Sequence, residues 1–266
     1  MSVALRIALD RDRDVALGSI ATAATALVVA LAAAGAESPS RGLHLSSAWP
    51  FLLAGLLSPG AAQILVTLAI RESGSSRVSM VFGTAPLVSV TIALIVLGEP
   101  ASPPLLAGAV LVVAGGVELA RERERPAHLN RLGLLYALAG ATLFAVRDNL
   151  VRHLAVGKTA VPPAVAAAAA LLGGTVLIAL WARQGIDRRW LRFVPAGLLF
   201  GASYVSLFEA YYRGRVTIVA PLVAVESLAG VALSALLLRE SELVGKRLLA
   251  GVVLIVAGGA LIGAYR

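Results

Sequence analysis

Long apolar runs, separated by short polar segments, occupy nearly the whole of this 266-residue chain. A helix needs roughly 20 apolar residues to cross a hydrocarbon core about 30 Å thick. The runs therefore predict an all-α integral membrane protein with about nine transmembrane helices. Their predicted bounds are residues 15–36, 48–70, 78–98, 104–120, 132–155, 161–183, 190–212, 216–238 and 247–264.

The two halves of the chain repeat each other in sequence. Residues 105–116 read LLAGAVLVVAGG and residues 248–259 read LLAGVVLIVAGG, so ten of twelve positions match at an offset of 143. The sequence AGLL recurs at residues 54–57 and 196–199, at an offset of 142. Such self-similarity predicts two copies of one structural unit. We expect a first repeat over 1–120, a charged linker over 121–131 and a second repeat over 132–266.

The first half lacks a counterpart of the helix predicted at residues 132–155. If residues 5–6 are aligned with residues 151–152, then residues 1–9 match the end of that helix. We therefore expect residues 1–9 to be the tail of a first helix whose reading frame begins about 20 to 25 residues upstream, one helix length. The protein would then have ten helices, five plus five, and the odd number would make the two repeats inverted.

Composition supports a membrane protein. Hydrophobic residues make up 59% of the chain and charged residues 14%, whereas soluble domains have about a quarter charged residues. The formal net charge is +8, but the basic residues fall in short segments between apolar runs. This pattern is typical of topology-setting charges, and it offers no basic groove for a nucleic acid.

The sequence carries no pattern typical of catalysis. His44, His128 and His153 do not form an HExxH metal site, and GxSxG, P-loop and paired-carboxylate patterns are missing. A chain without cysteine has no disulfides, thiolate metal sites or Cys nucleophiles. We therefore expect no enzyme activity, no cofactor and no metal.

These repeats resemble the EamA type of drug/metabolite transporters, which are built from two five-helix repeats. In that family a proline-bearing helix ends in a Gly-Glu pair and is followed by a helix ending in a double glycine. The matching segments are residues 86–99 with Gly108, Gly115 and Gly116, and residues 227–240 with Gly251, Gly258 and Gly259. Two features depart from the family pattern: the absent first helix, and Ser227 in place of the usual proline.

The resemblance implies a secondary transporter, an exporter or permease, of small organic metabolites or drugs. Repeated halves in a membrane generally enclose a central site and alternate its exposure by rocking. The resemblance also implies a multi-pass protein of the prokaryotic cell membrane, with the bilayer and a small solute as partners and with protons or a second copy as further candidates. A flippase of lipids or lipid-linked sugars and a non-transporting membrane subunit are the alternatives.

Four ionisable residues lie inside predicted spans: Arg147, Asp148, Glu209 and Glu226. A charge at the centre of a spanning helix costs roughly 2.5 to 3.5 kcal/mol on insertion scales, so such residues usually face a cavity or a partner. Glu226 has no basic residue three or four positions away. We expect it to be a proton-coupling or ligand-contacting group with Arg147 as counter-charge, the alternative being a neutral structural glutamate.

Local ion pairs are the alternative for two of these residues. Asp148 has Arg152 at i+4, and Glu209 has Arg213 at the same spacing. Arg147 has no acidic residue at i±3 or i±4. We therefore expect its partner on another helix, in an anionic ligand, or at the interface.

A predicted helix break provides a second group of candidates. Pro59 lies halfway along its helix, lacks an N–H and frees the carbonyl of Gly55; Pro86 and Pro221 predict similar breaks. Unwound backbone at membrane depth is tolerated only where it is buried in protein or lines a cavity. We expect a substrate site here, with a plain kink as the alternative. The candidates are Ser58, Pro59 and Gln63, and, from the repeat-related helix, Ser203 and Tyr204.

Other repeated residues predict structural roles. Glu99 and Glu240 end repeat-related helices at the membrane boundary, which favours structural capping or a gating contact. The repeated glycines of residues 105–116 and 248–259 predict close helix packing, because small residues let backbones approach in lipid.

The distribution of basic residues predicts the orientation in the membrane. Sixteen of the 23 Lys and Arg residues lie in segments on the same side as residues 1–14, and the richer side is cytoplasmic by the positive-inside rule. We expect the C-terminus outside, contrary to the cytoplasmic C-terminus usual in the resembled family. A C-terminal reporter that fluoresces only in the cytoplasm should stay dark, and a bright reporter would contradict the charge argument.

Overall fold

The computed structural model describes residues 1–99, 101–120, 131–157, 161–183, 187–223, 229–230, 233, 236–237 and 246–264. Every regular element in these residues is helical, and none of them forms a strand. The predicted all-α class is therefore confirmed for this part of the chain.

Helices account for most of the described residues. They are α1 (Ser2–Arg11), α2 (Val15–Arg41), α3 (Trp49–Gly55), α4 (Ala62–Ser73), α5 (Ser75–Gly83), α6 (Ala85–Val96), α7 (Pro103–Ala120), α8 (Arg131–Val156), α9 (Pro163–Ala182), α10 (Val194–Arg213), α11 (Val216–Val223) and α12 (Lys246–Ala264). A π-type segment, Leu56–Ala61, joins α3 to α4, and 3-10 turns cover Leu45–Ser47 and Arg188–Arg192. Helix α1 includes residues 2–9, and their assignment as the tail of a longer helix stays a prediction.

Five segments among the described residues are long and apolar enough to cross a membrane. They are Val15–Ser38, Trp49–Ser73, Arg77–Val96, Arg131–Val156 and Pro163–Ala182. Pro103–Val112 and Leu249–Leu261 are shorter apolar helices. Multiple spans are therefore supported, and the count of nine stays a prediction.

Large apolar side chains cover the outer faces of these helices. Val28, Val110, Leu180 and Val253 are each more than half exposed, and Ile95 is 77% exposed. Soluble monomers rarely expose contiguous apolar patches of more than a few hundred Å². Exposed apolar side chains along several helices are, in contrast, what a hydrocarbon solvent requires.

Two helix boundaries differ from the prediction for local reasons. The segment predicted at 78–98 divides into α5 and α6 at Thr84, whose hydroxyl donates to the Val81 carbonyl at 2.7 Å. Pro86 lies in the first turn of α6, where its missing N–H is not needed, and the predicted break is confirmed. Helix α10 begins at Val194 rather than 190, because Asp187 accepts the Arg189 N–H and starts a separate turn.

The chain divides into two compact units, and each takes segments from both predicted halves. Unit 1 contains Val3–Thr67 and Leu150–Arg213, and unit 2 contains Leu68–Asn149 and Gly214–Arg266. The predicted boundaries of the sequence repeats are a separate division, and they stay a prediction.

Unit 1 is held together by close approach of helix backbones at glycines. A Cβ on Gly55 would overlap the carbonyl oxygen of Ala170 in α9, and one on Gly173 would overlap that of Leu52. In α10, a Cβ on Gly197 would lie 2.9 Å from the carbonyl oxygen of Thr22 in α2. Gly55 and Gly197 are the two glycines that the AGLL repeat aligns. Each brings its own helix against a neighbour without an intervening side chain.

Unit 2 uses glycine in the same way between α7 and α12. A Cβ on Gly115 would lie 2.5 Å from the carbonyl oxygen of Gly251. Reciprocally, a Cβ on Gly258 would lie 2.5 Å from the carbonyl oxygen of Gly108. The predicted packing role of these repeated glycines is confirmed.

We expect Gly55→Ala to destabilise the protein, because the new methyl group meets backbone that cannot move away. Overpacking of this kind costs about 1–3 kcal/mol, which should lower the apparent melting temperature in detergent. The matched control is Gly35→Ala in α2, where nothing lies within 4 Å of the added Cβ. Because alanine is the better helix former, Gly35→Ala should melt at the same temperature or higher. Equal melting of the two variants would contradict this account of the packing.

Candidate functional site

The break between α3 and α4 lies in the middle of a buried span. Ser58 has extended backbone dihedral angles, φ −147° and ψ 117°, and the Ser58–Pro59 peptide bond is cis. The N–H of Ala62 donates to the carbonyl of Leu57, five residues back, which is the π pattern. The predicted break at residues 58–60 is confirmed, and the unwound backbone is enclosed by protein.

Helix α10 supplies a hydrogen bond to this unwound backbone. The hydroxyl of Tyr204 donates to the carbonyl oxygen of Ser58 at 2.8 Å, and both residues are buried. Two aromatic rings of the same helix hold the Tyr204 ring: Phe208 stacks on it at 4.9 Å between centroids, and Phe200 meets it edge-on at 5.5 Å. The structure thus brings together the Ser58 break and Tyr204, two of the candidates from the sequence.

Helix α9 closes another side of the break. A Cβ on Gly174 would lie 2.6 Å from Cγ of Pro59 and 2.7 Å from the backbone nitrogen of Gly60. On the opposing side, a Cβ on Gly60 would lie 2.9 Å from the Leu177 side chain. Pro59 therefore fills the space beside α9, and its role is to shape the break.

Two polar side chains at the break stand out. Ser58 and Gln63 are both fully buried, and neither the Ser58 hydroxyl nor either amide atom of Gln63 has a hydrogen-bond partner among the described residues. The backbone carbonyl of Gln63 is already used, because it accepts the Thr67 hydroxyl at 2.8 Å. A buried donor or acceptor without a partner costs about 1–3 kcal/mol. Groups held in this way are the best candidates in unit 1 for contact with a polar solute.

Helix α2 adds two buried hydroxyls that the sequence did not single out. Ser19 and Thr22 are fully buried, and their hydroxyls also lack partners among the described residues. Thr25, one turn further on, instead donates to the Ala21 carbonyl of its own helix at 2.7 Å. The available signal was a pair of hydroxyl residues three positions apart in an alanine-rich run.

Two predicted members of the site lie elsewhere in unit 1. Ser203 is exposed on α10, because each residue turns a helix by about 100° and so sends Ser203 and Tyr204 in different directions. Helix α10 itself runs unbroken from Val194 to Arg213. Glu209 accepts a hydrogen bond from Arg213, which confirms the local ion pair.

Arg147 and Asp148 form an ion pair in unit 2. Nε and one terminal nitrogen of Arg147 both lie 2.8 Å from Oδ1 of Asp148, and Arg147 is only 2% exposed. Its guanidinium also lies over the Phe144 ring, 5.1 Å from the centroid. The expected partner on another helix, in an anionic ligand or at the interface stays a prediction, and the structure shows a partner that the i±3 and i±4 spacings did not include. The adjacent residue provides it, because the long arginine side chain can turn back to its neighbour.

The alternative reading of Asp148, a local pair with Arg152, is wrong. One terminal nitrogen of Arg152 donates to the carbonyl oxygens of Tyr211 and Tyr212, at 3.1 and 3.4 Å. These carbonyls belong to the last turn of α10, which has no helical partners for them, and a cation is favourable at that end of the helix dipole. Glu226, the proposed partner of Arg147, lies outside the described residues.

Two glutamates each join helices from different halves of the chain. In unit 2, the Glu99 carboxylate accepts the N–H groups of Val216 and Thr217 at 3.1 and 3.0 Å, where α11 begins. In unit 1, Glu37 accepts the Ala164 N–H at 3.0 Å, next to two prolines that begin α9. The predicted capping role of Glu99 is confirmed, and Glu240 lies outside the described residues.

Charged segments next to the spans meet in unit 1. Asp12 lies 3.6 Å from Arg189 and 3.5 Å from Arg192, which brings residues 12–14 next to residues 187–192. The sequence predicts both segments on the same side of the membrane. A hydrogen bond from the Arg189 side chain holds the pKa of the exposed Asp187 carboxyl below its usual range. Among the described residues, no three His, Asp or Glu side chains lie together as metal ligands would.

Buried helix breaks, lipid-facing apolar surfaces and buried polar groups define a polytopic membrane protein of the transporter class. The chain belongs to the EamA-like transporter family, whose model matches residues 1–118 and 131–264. Members of this family are transporters rather than enzymes, and membership implies a small-molecule solute and a lipid bilayer as partners.

Comparison with other proteins supports the same fold. Sixteen chains of solved structures match. One of them, described only as "Crystal structure of protein", is 22% identical, with a TM-score of 0.72 over 98% of this chain and 91% of that chain. At this identity the likeness shows the fold alone. No curated protein matches the chain.

We expect Tyr204→Phe to lower stability by about 1–2 kcal/mol, because the buried Ser58 carbonyl loses its donor while the aromatic packing is kept. The control is Tyr136→Phe in α8, which removes a hydroxyl from a half-buried tyrosine. Thermal unfolding in detergent measures both. Tyr204→Phe should melt clearly below the wild type, and melting at the control's temperature would contradict the structural importance of this hydrogen bond.

Proposed function

We propose that this protein is a secondary transporter of a small organic solute, an exporter or permease working by alternating access. In this proposal the solute contacts the broken segment Leu56–Ala61 and the start of α4 within unit 1. The observation that carries the proposal is the enclosed break at Ser58, together with the unpartnered polar groups of Ser58 and Gln63.

The physical argument rests on the low polarity of the membrane interior. Irregular backbone at membrane depth is tolerated where it is buried in protein or lines a cavity, and transporters use discontinuous helices to form their solute sites. A plain kink would satisfy its own polar groups. The Ser58 carbonyl is satisfied by Tyr204, whereas the side chains of Ser58 and Gln63 are not satisfied by described residues.

Movement between two states requires contacts that can break. Glu37 and Glu99 are suited to this, because each holds the beginning of a helix from the second half through hydrogen bonds to backbone N–H groups. A contact of this kind at a helix end can be exchanged for water without opening a packed core. Rocking of one half against the other would release and reform both contacts.

For coupling to an ion, the described residues offer the buried pair of Arg147 and Asp148. An ionisable residue inside a spanning helix generally marks an ion or substrate pathway. Glu226 is the other candidate from the sequence. Glu209 is less suitable, because it already pairs with Arg213 in the last turns of α10.

Solute exchange in proteoliposomes tests the proposal. The purified full chain should show saturable exchange of at least one member of a panel of neutral, anionic and cationic organic solutes, above protein-free liposomes. Reorientation of a labelled lipid headgroup without solute exchange would overturn the proposal in favour of a flippase. The absence of both solute exchange and headgroup reorientation would overturn the proposal in favour of a non-transporting subunit.

Two serines allow a matched comparison. We expect Ser58→Ala to reduce exchange several-fold, because it removes a buried hydroxyl at the proposed contact. Its stability should change little, since this hydroxyl has no partner among the described residues. Ser203→Ala, on the exposed side of α10, should exchange like the wild type. Equal rates in the two variants would remove Ser58 from the solute contact.

A further inference from the structure

Gln63 has the chemistry to select the solute, and this inference rests on the proposed function. We propose that its carboxamide recognises a neutral amide-type edge on the solute, with a donor and an acceptor side by side. Primary amides, lactams and nucleobases carry such an edge. Two features of unit 1 support this: the absence of charged residues at the break among the described residues, and the unused hydrogen-bonding groups of the Gln63 side chain.

The interior of unit 1 is polar but uncharged where the break lies. Among the described residues of unit 1, the fully buried serine, threonine and glutamine residues are Ser19, Thr22, Ser58, Gln63 and Thr67. Helix α9 and residues 49–67 contain no ionisable residue. In α2 and α10 the charged residues Glu37, Arg41, Glu209 and Arg213 lie within the last five positions, and Arg152 contacts the last turn of α10. A charged group of the solute would therefore lose its water without gaining an opposite charge beside it.

Gln63 is equipped for a two-point contact. A carboxamide carries two N–H donors and one oxygen acceptor, and both kinds of atom are buried without a partner among the described residues. The residue sits in the first turn of α4, directly after the π segment, while its backbone carbonyl is occupied by Thr67. Only the side chain is left to bind a solute.

The pairing rules separate the solute classes. A neutral amide edge accepts from the N–H of Gln63 and donates to its oxygen, so both groups are satisfied at once. A carboxylate offers acceptors alone and leaves the Gln63 oxygen without a donor. An ammonium offers donors alone and leaves the N–H groups without an acceptor. A site built to hydrogen-bond its substrate can reject an analogue that lacks the partner by 10⁴–10⁵-fold.

Tyr204 and Ser58 complete the arrangement with different roles. Tyr204 is a positioning residue, because its hydroxyl is engaged with the Ser58 carbonyl at 2.8 Å. The Ser58 hydroxyl, also unpartnered among the described residues, offers a further hydrogen bond to the solute. In this proposal Tyr204 holds the broken backbone in place, and the Ser58 hydroxyl and the Gln63 carboxamide bind the solute.

Matched probes test this selectivity on the full chain. Benzamide, benzoate and benzylammonium share one ring and differ in the group offered to Gln63, and uracil supplies a second amide edge. We measure binding by thermal shift and competition against exchange in proteoliposomes. Benzamide and uracil should bind at least tenfold more tightly than benzoate and benzylammonium. Failure of both amide probes to bind, or a preference for benzoate, would overturn the proposal.

Two substitutions at position 63 separate recognition from folding. Gln63→Met keeps the approximate size but removes the polar atoms, so amide binding should fall at least tenfold. Its melting temperature should hold or rise, because an unpartnered buried group is removed. Gln63→Glu replaces the donors with acceptors and should shift preference from benzamide towards the cationic benzamidinium. Unchanged probe selectivity in both variants would overturn the role of Gln63.

The two proposals fail in different ways. If solutes are exchanged but neither variant alters selectivity, Gln63 is not the recognition group and the transporter proposal stands. If the wild type exchanges no solute of the panel, the proposed function fails and the inference about Gln63 fails with it.

Discussion

The hydrogen bond from the Tyr204 hydroxyl to the Ser58 carbonyl is the interaction on which the candidate site depends. Hydrocarbon provides no partner for a backbone carbonyl, and each unsatisfied group there costs several kcal/mol. The π pattern after Ser58 leaves that carbonyl outside the helical ladder, and Tyr204 satisfies it at 2.8 Å. Because Tyr204 satisfies the backbone carbonyl of Ser58, the side chains of Ser58 and Gln63 are not needed to do so and can bind a solute.

The glycines of α9 and α10 make that arrangement sterically feasible. Gly173 and Gly174 allow α9 to lie against Leu52 and Pro59, and Gly201 allows α10 to approach Ala26 of α2. These approaches bring backbone close to backbone and leave little room for adjustment. A broken helix in lipid would otherwise need side chains or water to fill its irregular surface.

The sequence predicted the features that follow from covalent chemistry and periodicity. Pro59 has no N–H, so the break could be placed at the right residues, and Tyr204 became a candidate through its position in the repeat-related helix. Contacts between residues far apart in the chain could not be predicted from the sequence. Arg152 was assigned to Asp148 by spacing, but it reaches carbonyls 59 and 60 residues away. The Arg147 side chain pairs with Asp148 at i+1. The spacing rules did not predict this pair, because they do not fix the rotamers of so long a side chain.

For serine and threonine residues, too, the sequence does not predict which groups the side chain contacts. Serine and threonine in helices often donate to a carbonyl of their own helix, as Thr25 and Thr67 do, and such residues carry no functional signal. The hydroxyls of Ser19 and Thr22, in contrast, make no hydrogen bond to a carbonyl of their own helix or to any other described residue. Only the packed structure separates the two groups. The prediction that Ser203 belongs to the site with Tyr204 has a simpler difficulty. Adjacent residues of a helix point in directions about 100° apart, and Ser203 is exposed.

The reciprocal contact of α7 and α12 has a consequence for how the two halves could diverge. The segments with ten identical residues out of twelve are the ones that touch, with Gly115 against Gly251 and Gly258 against Gly108. A larger residue gained in one copy would collide with the backbone of the other. Neither copy can therefore gain a bulkier residue at these glycines alone, which favours a similar sequence in this pair of helices.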